Sequence, residues 1–449
     1  MNLIESSYLR YLEERETARK TRAYSKIAMF RDDYEGQVKA KMRPMFSTST
    51  WEYLSKYIDT TDNIMKLVVN EVSSLYIEEP KRDFLDVSDK QKQILETIYK
   101  NAKINSKMLV ANRYMNVVND LLFKVVWRNN TVDVDIITPN NVTVIVNEKD
   151  FTKPEVIIIE KDLASTDKSL LGKMYEVWTE DNFYLLDGNF NELAAEGNEE
   201  MVNPYGILPF VYLHRVYPDS DFWNETDGED LYYANLYIAM KNTLLNYYYD
   251  WNTFKQVAIA TGDKLPSGLI VSPDRVLKAP ADANIQMLDF QIKLDQLNKA
   301  IEDYKKRITM NYGIDLSAFT GKEVSGRALQ IKNLRLGRRI KEQKTVLRDF
   351  ENNLLKMIEM VYFTHTGIKI DAKLKLDFKE GNEYEEAKDV LDIYQKEIDM
   401  NLTTAVEIYM KKNPDVGYED ALEKVKENIR LNNELRELED GKIMEELNK

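Results

Sequence analysis

Histidine occurs twice in 449 residues, at His214 and His365, and cysteine does not occur at all. Without a thiol there is no disulfide, no cysteine nucleophile, and no cysteine-held zinc or iron–sulfur centre. His214 follows the apolar run 209–213 and His365 sits near a helix end, so no Ser-His-Asp arrangement can be assembled, and a structural role is the simpler reading of both. Phosphate-loop chemistry is equally hard to build. It needs Gly-x-x-x-x-Gly-Lys-Ser/Thr, because backbone amides must wrap the phosphates while a hydroxyl reaches the metal. Here Gly321-Lys322 runs into Glu323 with Leu316 in the place of the first glycine, and Gly172-Lys173 fails in the same way. Asp219-x-Asp221 hints at a calcium loop, but Asn224 stands where the turn glycine belongs and the final Glu is misplaced, so the stretch reads as a solvated linker. Asp133-x-Asp135 alternates with Val132, Val134 and Ile136, as the wet face of a strand does. The expectation is a protein that is not an enzyme, with no metal and no cofactor.

What remains is charge. From Lys322 to Arg348 there are nine Lys/Arg and two Glu, yet the whole chain stands at −14, leaving 53 basic and 74 acidic residues elsewhere. A pI near 5.0 argues against wrapping nucleic acid by bulk charge. It suits a surface that nucleic acid slides past. In 100° steps, Leu329, Leu336, Ile340, Leu347, Leu354, Ile358 and Val361 fall on one narrow stripe of a helix running from 327 to about 363. Arg327, Lys332, Arg335, Arg338, Arg339, Lys341 and Arg348 spread over the rest. One face asks for a core and the other for anions or water, and periodicity alone leaves both readings of the basic face open.

The elements that must position this helix can be read in outline. The length implies two to four structural units. No run of about 18 apolar residues offers a membrane span, and residues 1–10 lack the apolar core of a signal peptide, so the expected compartment is a cytoplasm. Helices are predicted over 1–24, 51–76 and 89–122, the last capped by Ser88. Six short β-branched or aromatic runs follow (123–127, 131–137, 142–146, 156–161, 174–179 and 183–186) and suggest a meander that closes an α+β domain near residue 215. An acidic linker, 217–230, leads to a helix over 231–256 whose Tyr237, Leu244, Tyr248 and Trp251 share an apolar stripe. That spacing favours core or subunit packing over a base-stacking platform. A Pro/Gly-punctuated module, 260–290, carries strand-like runs at 268–272 and 285–288. A helix over 291–310 then places Leu294, Leu297, Ile301, Tyr304 and Ile308 at the spacing of helices packed side by side. The two helices and the module form an out-and-back excursion. Residues 368–378 alternate as a strand, and the charged tail is helical with a break at 413–417.

The order of these parts resembles the portal proteins of tailed bacteriophages. The likeness is carried by 64–80, a helix ending in Ser-Ser-Leu-Tyr-Ile-Glu-Glu-Pro; by 174–188 and 203–211; by Asp227-Gly-Glu-Asp-Leu231; and above all by Ser325-Gly-Arg-Ala-Leu329. It covers roughly 50–430. Each motif is short, and their ordered set carries the weight. The resemblance implies an α+β, portal-like fold: a wing (1–228 and 326–379, with a long helix kinked at Gly337), a two-helix stem (229–256 and 291–310) and a small β-containing clip (257–290). It further implies a tunnel loop (311–325) and a helical crown (380–449). In that scheme Tyr312, Asp315, Leu316, Phe319, Lys322 and Arg327 face DNA, while Lys332, Arg335, Arg338, Arg339 and Lys341 face DNA or a neighbouring subunit. The implied partners are further copies in a dodecameric ring, double-stranded DNA held without sequence specificity, and the terminase large subunit at the clip. Major capsid and scaffold proteins lie outside, and head-completion or adaptor proteins replace the motor. The implied place is the capsid vertex of a virion, reached from the host cytoplasm. The alternative is a terminase- or nuclease-like processing subunit, which the missing phosphate loop and metal-ligand cluster disfavour. A third is a cellular scaffold of packed helices.

Overall fold

Four helices open the chain: α1 (Ser6–Phe30), α2 (Glu35–Met42), α3 (Thr48–Leu54) and α4 (Ile64–Val72). The computed structural model describes residues 6–162, 172–193, 200–224, 228–253, 256–260, 284–288, 294–314, 316, 326–378, 394–413 and 416–447. The single helix expected over 51–76 is two helices, because residues 58–63 are rich in side chains that compete with the helical backbone. The Thr61 amide bonds Asp59 Oδ1 at 2.9 Å, and Asn63 starts α4 afresh by accepting from the Lys66 amide at 2.9 Å.

Strand β1 (Lys81–Leu85) precedes α5 (Asp89–Asn101), which Ser88 opens with Gln91 in a capping box as the sequence suggests. The helix expected to run on to 122 stops at 101 and resumes as α6 (Ile104–Val118), because Lys103 sits in the left-handed region at φ +52°. The next strand starts earlier than expected, since Asp120 already pairs with His214 across the ladder.

The β-rich region is two antiparallel sheets, where the sequence suggests one meander. β2 (Asp120–Arg128), β3 (Thr131–Ile137) and a later strand, Phe210–His214, form the first, in the order β3, β2, Phe210–His214. β4 (Val142–Asn147), β5 (Asp150–Asp162), β6 (Lys173–Trp178), β7 (Phe183–Asp187) and β8 (Glu192–Leu193) form the second in chain order; Phe210–His214 is thus β9. An apolar cluster including Leu122, Ile157, Trp178, Phe210 and Phe222 fills the space between the sheets. Inside it Lys124 of β2 meets Glu176 of β6 at 2.7 Å, and Lys161 also reaches Glu176. Burial raises the pKa of Glu176, but its two ammonium partners outweigh that and hold it below the usual value. Lys124 is deeply buried and feels Lys161, so burial prevails over the pull of Glu176 and its pKa falls.

α7 (Glu229–Thr253), the antiparallel pair β10 (Gln256–Ala260) and β11 (Asn284–Leu288), α8 (Leu294–Asn311), the 41-residue α9 (Gly326–Thr366) and β12 (Lys373–Asp377) complete the first compact unit, 1–378. β12 pairs with β1, far from it in sequence. The second unit, 379–449, contains α10 (Ala405–Lys412), capped by Thr404 and Glu407, and α11 (Tyr418–Leu447). The chain is a mixed α+β protein with antiparallel sheets. The strand expected at 268–272 lies outside the described residues.

Candidate functional site: the turn that ends α8

α7 and α8 run antiparallel. Tyr237 meets Tyr304 edge-on with ring centroids 5.2 Å apart, and the C-terminal end of α8 returns to the first turn of α7. Ile301 is 1% exposed. Leu244, Leu294, Leu297 and Ile308 lie half-buried against the main core, and Tyr248 packs on Tyr247 at 5.7 Å. The Trp251 side chain lies outside the described residues. Tyr237 keeps 44% of its surface exposed although it packs on Tyr304.

Segment 58–63 ties this pair to the body by polar groups. The Asp59 amide donates to Thr243 Oγ1 at 2.9 Å, Asn246 donates to Asp59 at 2.9 Å, and Asn242 reaches Asp62 at 3.5 Å. Lys305 of α8 joins Asp62 and, at 2.8 Å, Glu302. Burial disfavours its charge, yet these carboxylates hold its pKa above the usual lysine value.

The exit from α8 is defined by its glycine. Ile314 N–H bonds the Thr309 carbonyl and Gly313 N–H the Met310 carbonyl, at 3.0 and 3.1 Å, the paired bonds of a helix ended by a left-handed residue. Gly313 has φ +78°, and a Cβ there would lie 2.7 Å from the Leu336 amide nitrogen and 3.1 Å from Arg335 Cβ. The turn is thereby pressed onto the backbone of α9.

Tyr312, one residue earlier, is held on two sides. Its hydroxyl donates to Asp230 at 2.8 Å, and the Arg339 guanidinium carbon lies 4.4 Å over its ring. Burial and the Asp230 charge push its pKa well up. Arg215, at the end of β9, donates to Asn119 Oδ1 at 3.1 Å; burial and the nearby Arg339 charge lower its pKa. In this chain Tyr312 is committed to the end of α8 by its own neighbours.

The other residues expected to face DNA divide three ways. Leu316 packs half-buried against the core. Asp315, Phe319 and Lys322 lie outside the described residues, as do the side chains of Arg327 and Lys332 on α9. Arg335, Arg338 and Lys341 are exposed and Arg339 is half-buried. Sequence reasoning missed Arg215 and Asp230. An acidic residue in a first helical turn needs no more explanation than the helix dipole, so Asp230 carried no signal of its partner.

Beyond this region α9 is fixed deep in the body. Leu347, Leu354, Ile358 and Val361 are fully buried, as their stripe requires. Continuous with them are three buried polar residues, each met by a different element. Gln343 and Asn116 exchange amide bonds at 3.3 and 3.4 Å; Glu351 accepts from Tyr76 Oη at 2.8 Å and from Arg82 Nε at 2.8 Å; Glu359 accepts from the Ala372 amide at 2.7 Å. The helix passes unbroken through Gly337, whose missing Cβ would meet nothing within 4 Å.

Both histidines serve structure. His214 Nδ1 lies 2.9 Å from Asp120, whose other oxygen accepts from the Asn224 amide at 2.8 Å. His365 stacks on Trp127 at 4.7 Å with Tyr205 Oη 3.2 Å from Nε2, and burial lowers its pKa. Among the described residues no group of three His, Asp or Glu could hold a metal ion, and no helix is long and apolar enough to cross a membrane.

No protein-family model matches the chain, and no curated protein is similar to it in sequence. Among solved structures it is similar to a chain of the virion of a native gene transfer agent particle, with TM-score 0.42 and 9% identity over 79% of this chain and 91% of that one. It is also similar to a chain from the neck of an empty gene transfer agent particle computed with C6 symmetry (TM-score 0.39, 8% identity, 77% and 88% covered). A third is from the neck of the native particle computed with C12 symmetry (0.36, 10%, 77% and 88%). At these scores the functional reading rests on this chain's own residues.

Proposed function

We propose that this chain is a portal subunit, one of a ring of copies, twelve by the resemblance of its motifs, that forms the DNA channel at one vertex of a phage-like capsid. In this reading residues 1–228 and 326–379 are the wing, α7 and α8 the stem, 257–290 the clip and 380–449 the crown. The observation that carries it is the out-and-back excursion. Two antiparallel helices leave and re-enter an α+β body with an antiparallel strand pair between them, and the return ends in a turn seated on a long, basic, deeply anchored helix. A loop emerging there belongs at a channel wall. The acidic remainder of the chain disfavours DNA adhesion, because every phosphate neutralised adds salt-dependent affinity and slows passage. Terminase would dock at the clip during packaging, with adaptor proteins following, and the chain itself would do no chemistry.

Imaging and particle mass of the purified full chain test this. Homogeneous rings with a central hole are expected; a chain that stays monomeric or dimeric at high concentration, with or without scaffold protein, would refute the proposal.

A further inference from the structure

α7 and α8 together present two unlike faces. Tyr233, Tyr237 and Lys241 recur every fourth residue along one side of α7, while Asn242 and Asn246, which bond segment 58–63, lie on the other. On α8, 3.6 residues per turn likewise set Tyr304 and Arg307 opposite Glu302 and Lys305. The first face is aromatic and basic. Lys241 lies over the Tyr237 ring at 4.7 Å and Arg307 over Tyr304 at 5.5 Å, and the two rings meet each other at 5.2 Å. Tyr233 is nevertheless 53% exposed and Tyr237 44%. The second face is acidic. Asp62 and Glu302 both pair with Lys305, and Asp59 lies beside them in segment 58–63. The first face thus gains two positive charges from Lys241 and Arg307, while three carboxylates against one ammonium leave the second with two negative ones. Between the faces the outer edge of α8 is balanced, Lys299 and Lys306 against Asp295 and Asp303. Asp230, at the inner end of the aromatic stripe, bonds Tyr312 beneath Arg339, so that end adds one charge of each sign.

We propose that these two faces meet head to tail between copies of this chain, the aromatic, basic face of one copy seating on the acidic face of the next. Exposed tyrosines suit such a contact, because each buries a large rigid ring and keeps a polar tip that can stay wet. Opposite charges on different faces draw unlike faces together and hold like faces apart, so copies add in one direction. A contact between unlike faces leaves one face free at each end, and its repetition gives a ring where the rotation closes and a filament where it does not. Closure into a ring rests on the portal reading; the head-to-tail contact rests on the two faces. A different acidic partner would satisfy the aromatic face alone and leave the acidic one without a role.

The test follows the particle mass of the purified full chain against concentration. Lys241→Glu with Arg307→Glu makes both faces acidic, and Asp62→Lys with Glu302→Lys makes both basic. Each double variant alone should raise the concentration of half-assembly at least about a hundredfold. Mixed in equal amounts, the two should assemble within about threefold of the wild-type concentration, because every contact in an alternating row again joins opposite charges. Rescue by mixing also shows that both variants are folded. Tyr233→Ala, at an exposed site, should raise the assembly concentration about tenfold, and it carries the test if melting curves show either charge variant unfolded. A double variant that assembles like the wild type, folded variants that stay apart when mixed, or an unaffected Tyr233→Ala would overturn the contact. So would a labelled DNA duplex that binds the wild type and not Lys241→Glu with Arg307→Glu while the particle masses of the two remain equal, which assigns the aromatic face to DNA. Imaging separates the contact from the portal reading. Rings that persist in Lys241→Glu with Arg307→Glu remove the contact and leave the portal; wild-type filaments that this variant abolishes do the reverse; a wild type monomeric at every concentration overturns both.

Discussion

Gly313 lies so close to Leu336 that a Cβ on the first would stand 2.7 Å from the backbone nitrogen of the second. The residue is thus constrained twice, by its positive φ of +78° and by a neighbour that is backbone and cannot rotate away. Gly313→Ala is expected to lower stability by about 1–3 kcal/mol, measured by urea denaturation. An alanine variant as stable as the wild type would mean that the turn is not seated on α9.

Glu351 is fully buried and holds both Tyr76 and Arg82, whose side chain is 8% exposed. Replacing it alone strands a buried guanidinium. Glu351→Leu should cost about 3–5 kcal/mol, whereas the double variant with Arg82→Met should recover much of that, because the pair is then exchanged for apolar packing. Chemical denaturation of the two single variants and the double variant gives the coupling. Simple additivity would show that the two side chains act independently.

The pair between the sheets gives a pH dependence. Glu176 titrates below the ordinary glutamate value of about 4.5 in the folded chain, so its contribution is complete above about pH 4.5 and is lost as pH falls through the lower, folded value. The stability difference between wild type and Glu176→Gln should therefore shrink on acidification below about pH 4.5. A difference that stays constant from pH 7 to pH 3 would refute the linkage.

The parts legible in the sequence were those in which one period governs a whole element. The stripe of α9 identified Leu347, Leu354, Ile358 and Val361 as core because a helix covered along one line obeys 3.6 residues per turn. The same stripe left out Phe350 and Leu355, which are also buried; Phe350 packs on Phe123 of β2 at 4.7 Å, so α9 is covered over a wider arc than its leucine spacing suggests. The break between α5 and α6 left no trace, since apolar spacing continues across Lys103 while its backbone turns left-handed. Lys124 meets Glu176, 52 residues away, between the two sheets, and Tyr312 is held by Asp230, 82 residues earlier. Contacts at such separations are made by tertiary packing, which local pattern does not encode. Basic residues of α9 were likewise visible as a group, but only the fold distinguishes Arg339 over a tyrosine from exposed Arg338.

The seating of Gly313 on α9 has a mechanical side. From Leu336 to Glu351 the helix extends roughly 22 Å at about 1.5 Å per residue. A pull on the segment between α8 and α9 is therefore resisted along a stiff rod whose far end is fastened by an ion pair and several leucine-sized side chains. Force arriving at the turn is carried along that rod towards the buried anchorage at Glu351 and Arg82.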